Sequence, residues 1–361
     1  MKLAQILYSG LGGHGSVAFS LAGGAPRDWH HEMVFFGIEP LLPEYARSCA
    51  AHGFGQTYVP MAQGRSWSSW RTLYQALERM RPEAIVLHSV KTILPCWLYA
   101  RRHRIPLIAV EHQPNALKKT SEWVVSHLLM RLADAVMLLT PTYRDELQER
   151  LGRAWRGDKV HLIPNGIDTD RFAPMHRPAL QTPIRVGMAA RFSNRKRQDL
   201  LVGAARILER EAPGAWQFSL AGDGDELPRI RAQVAQEGLD SVVDLPGYLG
   251  EDALCAWFSE LDIYTHASDG ETLSTSLLQA LSCGLPILGS DVEGISNLLG
   301  RAGGVGLCAA SETAEGFADG LRHLARDRAH AQRLAENARA LACKDYSHRS
   351  MFERYAALLG R

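Results

Sequence analysis

"IPNGIDTDRFAPMHRPALQTP", residues 163–183, is rich in Pro, Asn, Asp and Gly and has no helical period, so it breaks the chain rather than extending an element. What lies on either side repeats one pattern. Upstream, short β-rich apolar runs alternate with longer amphipathic segments: "LAQILY" (3–8), "MVFFG" (33–37), "AIVLH" (84–88), "PLIAVEH" (106–112) and "AVMLLT" (135–140). Downstream the alternation starts again with "IRVGMAA" (184–190), "WQFSLAG" (216–222), "VVDLPG" (242–247), "DIYTH" (262–266), "PILGS" (286–290) and "GVGL" (304–307). Near-continuous apolar strands separated by helices read as parallel sheets covered on both faces. Two such sets predict an α/β chain of two Rossmann-like domains, 1–165 and 166–347. The end of the chain stands apart. Leu334, Ala338 and Leu341, then Met351, Phe352, Tyr355, Leu358 and Leu359, keep helical spacing across a break at Asp345–Ser347. Residues 348–361 are therefore expected to leave the second domain and pack elsewhere.

Composition agrees with two ordinary cores. The 361 residues exceed a comfortable single core, and the 46% hydrophobic and 22% charged fractions are those of a globular protein. A net charge of +1 excludes a global basic field for nucleic acid. The six cysteines are widely spaced with no C-x-x-C pair, which argues against a zinc site or a disulfide framework and for reduced thiols in the cytoplasm. "MKLAQILYSGLGG" breaks into glycines too early for a signal peptide. The longest apolar stretch, "WVVSHLLMRLADAVMLL" (123–139), is interrupted by His127, Arg131 and Asp134 and falls short of a membrane span.

Four stretches have the residue types that chemistry on an anionic ligand needs. "SGLGGHGS" (9–16) fits G-x-G-x-x-G with Gly10, Gly12 and Gly15, the pattern that lets backbone N–H groups approach a phosphate; the alternative is a tight strand-to-helix turn with no ligand. "AARFSNRKRQDLL" (189–201) sets Arg191 and Lys196 just past the first strand of the second half, where ligands of open sheets bind; the alternative is a solvated basic loop. Two fixed cations there suit a diphosphate leaving group. "LAGDGDELPRI" (220–230) is a strand, a turn at Gly222 and an acidic helix start. "DGETLSTSLLQALSCGLP" (269–286) begins with Asp269 and Glu271 and places Ser274, Thr275 and Ser276 at a helix start, an anion site with an acid at its mouth. Read structurally, Glu271 there merely complements the helix dipole.

Taken in order, these stretches resemble the retaining glycosyltransferases of GT-B fold in glycosyltransferase family 4, over nearly the whole length. "GLGGHG" resembles the N-terminal glycine loop, "PLIAVEH" a strand ending in the active-site histidine, and "SHLLMRLADAVMLLTPTYRDEL" the helix and strand before the linker. "VHLIPNGIDTDRF" resembles the linker, "AARFSNRKRQDLL" the phosphate Arg and Lys, and "LAGDGDE" and "VDLPGYL" the nucleotide-facing turns. "DGETLSTSLLQALSCGLPILGSDVEGISNLL" is similar to the signature in which two glutamates stand seven residues apart. The resemblance implies two Rossmann-like domains facing a central cleft, with the C-terminal helix crossing back to the N-terminal domain.

The roles it implies are these. Arg191 and Lys196 would grip the donor diphosphate, helped by backbone N–H groups near Ser274 and Thr275. The loop at Gly12, Gly13, His14 and Gly15 would close on the phosphates, and His112 would lie beside the donor sugar. Glu271 would contact sugar hydroxyls, with Thr272 and Leu273 next to it, while Gly222 and the backbone of Tyr248 would face the nucleotide. Gln279 stands where the second glutamate holds the ribose. An amide both accepts and donates, so it would bind with uncharged bonds and leave the catalytic burden to Glu271.

The implied reaction is retaining, metal-independent transfer of a hexose or N-acetylhexosamine from a nucleotide-diphosphate sugar, UDP more than GDP, with no cofactor. The front-face route suits a block with no second catalytic carboxylate, since double displacement needs two opposed carboxyls. A saccharide or lipid-linked acceptor in bacterial envelope polysaccharide, lipopolysaccharide or glycolipid synthesis is expected. The alternatives are an NAD(P)-dependent oxidoreductase resting on the N-terminal glycines with Glu39, a catalytically weak sugar-nucleotide-binding protein, and a sugar-nucleotide epimerase. The stretch 115–131 joins Lys118 and Lys119 to Trp123, Val124, Leu128 and Leu129, which predicts either an ordinary packed helix or a peripheral contact with an anionic membrane at the inner face of the plasma membrane.

Overall fold

The computed structural model describes residues 1–10, 14–61, 66–112, 118–174, 182–300 and 304–360, without the side chains of His14, Ser16 and Ser66. The chain forms two compact units, Met1–Asp168 with Ser347–Arg361, and Thr169–Tyr346.

The first unit runs β1 (Lys2–Tyr8), α1 (His14–Gly23), β2 (His30–Gly37), α2 (Pro43–His52), β3 (Gly55–Pro60), α3 (Ser66–Met80), β4 (Ala84–Leu87), α4 (Ile93–His103), β5 (Leu107–Val110), α5 (Thr120–Leu132), β6 (Ala135–Leu138), α6 (Pro141–Leu151) and β7 (Val160–Leu162). Its seven strands are parallel in the order β3-β2-β1-β4-β5-β6-β7. Every residue of β4, β5 and β6 is buried, because helices cover both faces. β3, which sequence reading does not place, is an edge strand whose only buried residue is Val59, so it offers no apolar run to find. β7 lies inside the stretch read as linker and is half-exposed throughout.

The second unit runs β8 (Ile184–Ala189), α7 (Gln198–Glu211), β9 (Trp216–Ala221), α8 (Leu227–Gln236), β10 (Val243–Gly247), α9 (Glu251–Glu260), β11 (Ile263–His266), α10 (Thr275–Ser282), β12 (Ile287–Gly289), α11 (Glu293–Leu299), β13 (Leu307–Cys308), α12 (Ala314–Arg326) and α13 (Arg328–Asp345). Its six strands are parallel in the order β10-β9-β8-β11-β12-β13.

The terminal helix α14 (His348–Leu358) returns to the first unit, as its separate apolar stripe predicts. Met351, Phe352 and Tyr355 are buried in one core with Leu3, Val17, Leu21, Val86 and Val110. The linker glycine exists for this helix. A Cβ on Gly166 would lie 2.9 Å from the Cα of His348 and from the Met351 side chain, too close for any other residue. His348 N–H donates to the Ile167 carbonyl at 2.7 Å and fixes the return point. Beyond it the linker enters the second unit, where Phe172 is buried edge-on against Phe258.

Candidate active site

The second sheet reverses its strand order between β8 and β11, and the carboxyl ends of strands at such a reversal are where open α/β sheets bind ligands. The loops leaving these two strands are laced together there. Arg197 N–H donates to the Ala267 carbonyl at 3.1 Å, Asp269 N–H to the Arg195 carbonyl at 2.9 Å, and the Ser268 hydroxyl to the same carbonyl at 3.2 Å. Arg197 also pairs with Asp199 and Asp269, both at 3.0 Å. This lacing brings Lys196 onto Glu271, whose Oε2 forms an ion pair with the ammonium. The two side chains are 17% and 18% exposed.

His266, the last residue of β11, is fully buried with Nε2 at 3.2 Å from both the Lys196 ammonium and Glu271 Oε2. Behind it runs a line of hydroxyls. Tyr264 Oη lies 3.1 Å from His266 Nδ1 and 3.1 Å from Ser276 Oγ, and Ser276 Oγ is 3.1 Å from Ser274 Oγ. Ser274 is the N-cap of α10 and accepts the Leu277 N–H at 3.4 Å. Tyr264 also reaches the Ala189 carbonyl at 3.4 Å, and its hydroxyl links His266 to the serine pair. The N-cap of the helix and the orientation of the acid are thus one hydrogen-bonded assembly.

Burial, then the Lys196 charge, lowers the His266 pKa against the pull of Glu271, which keeps the ring neutral. Burial acts to raise the Glu271 pKa, but the His266 hydrogen bond and the Lys196 charge outweigh it and hold the carboxyl at about 2. Glu271 is therefore a carboxylate throughout the working range and no proton donor. Its ordinary value is 4.5, so the stabilisation it supplies is whole above that pH and is lost as pH falls towards 2. Glu271→Gln is expected to flatten the decline in the second unit's stability between pH 5 and 3, measured by urea unfolding. An acid limb identical to wild type would show that the pair adds nothing.

The other residues singled out in the sequence fall as follows. Arg191 is exposed, and its guanidinium has no ion-pair partner among the described residues; its carbonyl accepts from the buried Gln198 amide at 3.3 Å. Gly222 has φ of 138°, and a Cβ there would collide with the Ala190 carbonyl, so the turn needs glycine to buttress the Arg191 loop. Gly222 N–H donates to the Gly247 carbonyl at 2.8 Å, which sets Tyr248, 62% exposed, at the same sheet edge. Glu271, Thr272 and Leu273 are half-buried before Ser274 and Thr275, and Gln279 sits half-buried one turn into α10 with no side-chain hydrogen bond to a described residue. In the first unit, Gly15 lies in the first turn of α1 where a Cβ would collide with the Tyr45 ring, so packing accounts for that glycine. Gly12 and Gly13 lie outside the described residues, as does the side chain of His14. His112 is two residues beyond β5, with Nε2 3.0 Å from His88 Nδ1. No cluster of three or more His, Cys, Asp or Glu suited to a metal occurs among the described residues.

Two findings depart from the sequence reading. His266 and Tyr264 were read only as strand residues, although a histidine ending "DIYTH" five positions before Glu271 is the available signal. Lys118, read as a surface cation, has its side chain 2% exposed and pairs at 2.9 Å with Glu111, itself 3% exposed. Leu129 and Met130 of the same stretch are buried in the core, and residues 115–117 lie outside the described part.

Known proteins share this fold. Residues 11–171 match the family model described as Glycosyltransferase Family 4, and residues 175–341 the one described as Glycosyl transferases group 1. The amylovoran biosynthesis glycosyltransferase AmsK of Erwinia amylovora is 27% identical over 168 residues, a match spanning 45% of this chain and 41% of that protein. The alpha-D-kanosaminyltransferase of Streptomyces kanamyceticus is 24% identical over 70% of this chain and 69% of its own length. Among solved structures, HepE of Anabaena in complex with UDP and glucose superimposes with a TM-score of 0.82 at 18% identity, over 100% of this chain and 99% of that one. The lipopolysaccharide outer core galactosyltransferase WaaB gives 0.69 at 18% identity, over 100% and 99%. With one family model on each side of the linker and two parallel α/β units, the chain belongs to the GT4-type glycosyltransferases of the GT-B fold.

Proposed function

We propose that this glycosyltransferase moves a hexose or N-acetylhexosamine from a UDP-sugar to a saccharide or lipid-linked acceptor with retention of configuration, in bacterial envelope polysaccharide or glycolipid synthesis. The observation that carries the reading is the ionised Glu271 held between Lys196 and His266, just before the N-terminus of α10. Lys196, the exposed Arg191 and the backbone N–H groups at the start of α10 suit a diphosphate whose charge grows as the sugar–phosphate bond breaks. Glu271 would accept hydrogen bonds from the sugar's hydroxyls. A carboxyl held at about 2 cannot protonate a leaving group, so the acceptor's proton would pass to the departing phosphate oxygen on the same face of the sugar. Those cationic groups would neutralise the leaving group without a metal or cofactor, so EDTA should leave turnover unchanged.

UDP is favoured because the HepE structure holds UDP and glucose, and a polysaccharide product because a relative is an amylovoran biosynthesis glycosyltransferase. A thermal-shift panel of UDP-glucose, UDP-galactose, UDP-N-acetylglucosamine and GDP-mannose tests the donor, with selective stabilisation by one UDP-sugar expected. Stabilisation by GDP-mannose alone would overturn the UDP assignment. Stabilisation without hydrolysis or transfer to any acceptor would favour a silent sugar-nucleotide binder.

No described helix is long and apolar enough to cross a membrane. A peripheral contact with anionic lipid is proposed only for the exposed part of the 115–131 stretch, where Lys119, Val124 and Arg131 face solvent. Binding to phosphatidylserine liposomes should weaken with salt and with Lys119→Glu. Binding that ignores both would remove this surface from the proposal.

A further inference from the structure

The first unit has its own strand-order reversal, between β1 and β4, and a line of buried polar side chains crosses it. Gln5, in the middle of β1, is fully buried. Its Nε2 lies 3.1 Å from the Ala18 carbonyl and 3.2 Å from His31 Nδ1, and its Oε1 lies 3.0 Å from His88 Nε2. His88, just past β4, reaches with Nδ1 to His112 Nε2 at 3.0 Å, and the two rings stack with centroids 5.3 Å apart at 20°.

The direction of this line follows from one fixed point. A backbone carbonyl only accepts, so the nitrogen of the Gln5 amide faces Ala18 and its oxygen faces His88. An amide oxygen also only accepts, so His88 donates from Nε2. In the neutral His88 ring Nδ1 then accepts, and His112 donates from Nε2. At the other end, His31 accepts from Gln5 at Nδ1 and so carries its own proton on Nε2, a buried atom with no partner among the described residues. Burial drops the His31 pKa to about 4, which keeps it neutral as that bond requires. A strand core serving stability alone would be apolar here, since buried polar groups are costly and an orphaned one more so.

We propose that Gln5 and His88 are positioning residues for His112. The amide, pinned by the Ala18 carbonyl, sets the tautomer of His88, which sets that of His112, so His112 keeps Nε2–H inward, towards His88. The consequence for catalysis rests on the reading of His112 as a donor-sugar residue.

The test is nitrogen-detected NMR of ¹⁵N-histidine-labelled full-length protein, with His112→Gln to assign the signal, beside kinetics with UDP-glucose and UDP binding. Wild-type His112 should report the Nε2–H tautomer, and Gln5→Leu should shift it to a mixture. Gln5→Leu and His88→Phe should each lower kcat about tenfold or more, the scale of losing a fixed orientation, with UDP affinity unchanged within about twofold. An Nδ1–H tautomer in the wild type overturns the proposal without any variant. So does a full kcat in Gln5→Leu whose His112 has become a tautomer mixture, in an enzyme that His112→Gln inactivates. If His112→Gln is itself fully active, the donor-sugar reading fails, while the tautomer measurement still decides the relay.

Discussion

Glu271→Gln is expected to lower kcat roughly 10²–10³-fold, the scale at which loss of one preorganised electrostatic contact acts, and to tighten UDP binding slightly. The sign of the second effect comes from the ion pair. The Lys196 ammonium is paired with Glu271 Oε2, and His266 Nε2 lies 3.2 Å from the same oxygen. An amide of the same shape keeps the packing but releases the lysine, so an incoming diphosphate meets a less compensated cation. The sugar loses its charged acceptor, and the transition state loses more than the ground state. Gln279→Glu makes the contrast. It adds a charge one turn into α10 and is expected to change the KM for the nucleotide sugar while kcat stays within about threefold. Equal losses of kcat in both variants would end this division of labour. Weaker UDP binding in Glu271→Gln would show that Lys196 is not held in reserve by the carboxylate.

Legibility in the sequence followed burial. β4, β5 and β6 announce themselves because both faces are covered and every residue is apolar, whereas β3 buries only Val59 and leaves no pattern to read. Pro-Asn-Gly at 164–166 marks a break on its own, but the reason for its glycine, a helix 182 residues later pressing His348 and Met351 against it, exists only in three dimensions. The site divides the same way. Arg191, Lys196 and Glu271 stand out by type and by place at strand ends. That Lys196 and Glu271 meet is set by the order β8-β11, which spacing along the chain does not encode. His266 and Tyr264 were hidden because alternate residues of a buried parallel strand look like core; only the line from Ser274 to Glu271 shows them to be part of the site.

Lys118→Met is expected to destabilise the first unit by about 3 kcal/mol, the lower end for stripping one partner from a buried ion pair. For a unit of this size that lowers Tm by roughly 6–12 °C. Lys118 Nζ lies 2.9 Å from Glu111 Oε2 and 2.9 Å from Ser126 Oγ, and it sits 4.9 Å from the centroid of the Trp123 ring and 5.3 Å from that of Tyr143. Glu111 also accepts from Ser126 at 2.7 Å and from Tyr143 at 3.1 Å, which makes a closed cluster around two opposite charges. Removing the cation leaves the buried Glu111 carboxylate with hydroxyl donors alone among the described residues. The loss should shrink when Glu111→Gln is added to Lys118→Met, because no charge is left uncompensated. Differential scanning fluorimetry reads both. A Lys118→Met protein as stable as wild type at pH 7 would mean that the lysine is solvated, and would return residues 118–131 to the membrane surface that their sequence suggests. The expected result instead makes Lys118 the anchor of the segment that carries Glu111 and, one residue on, His112.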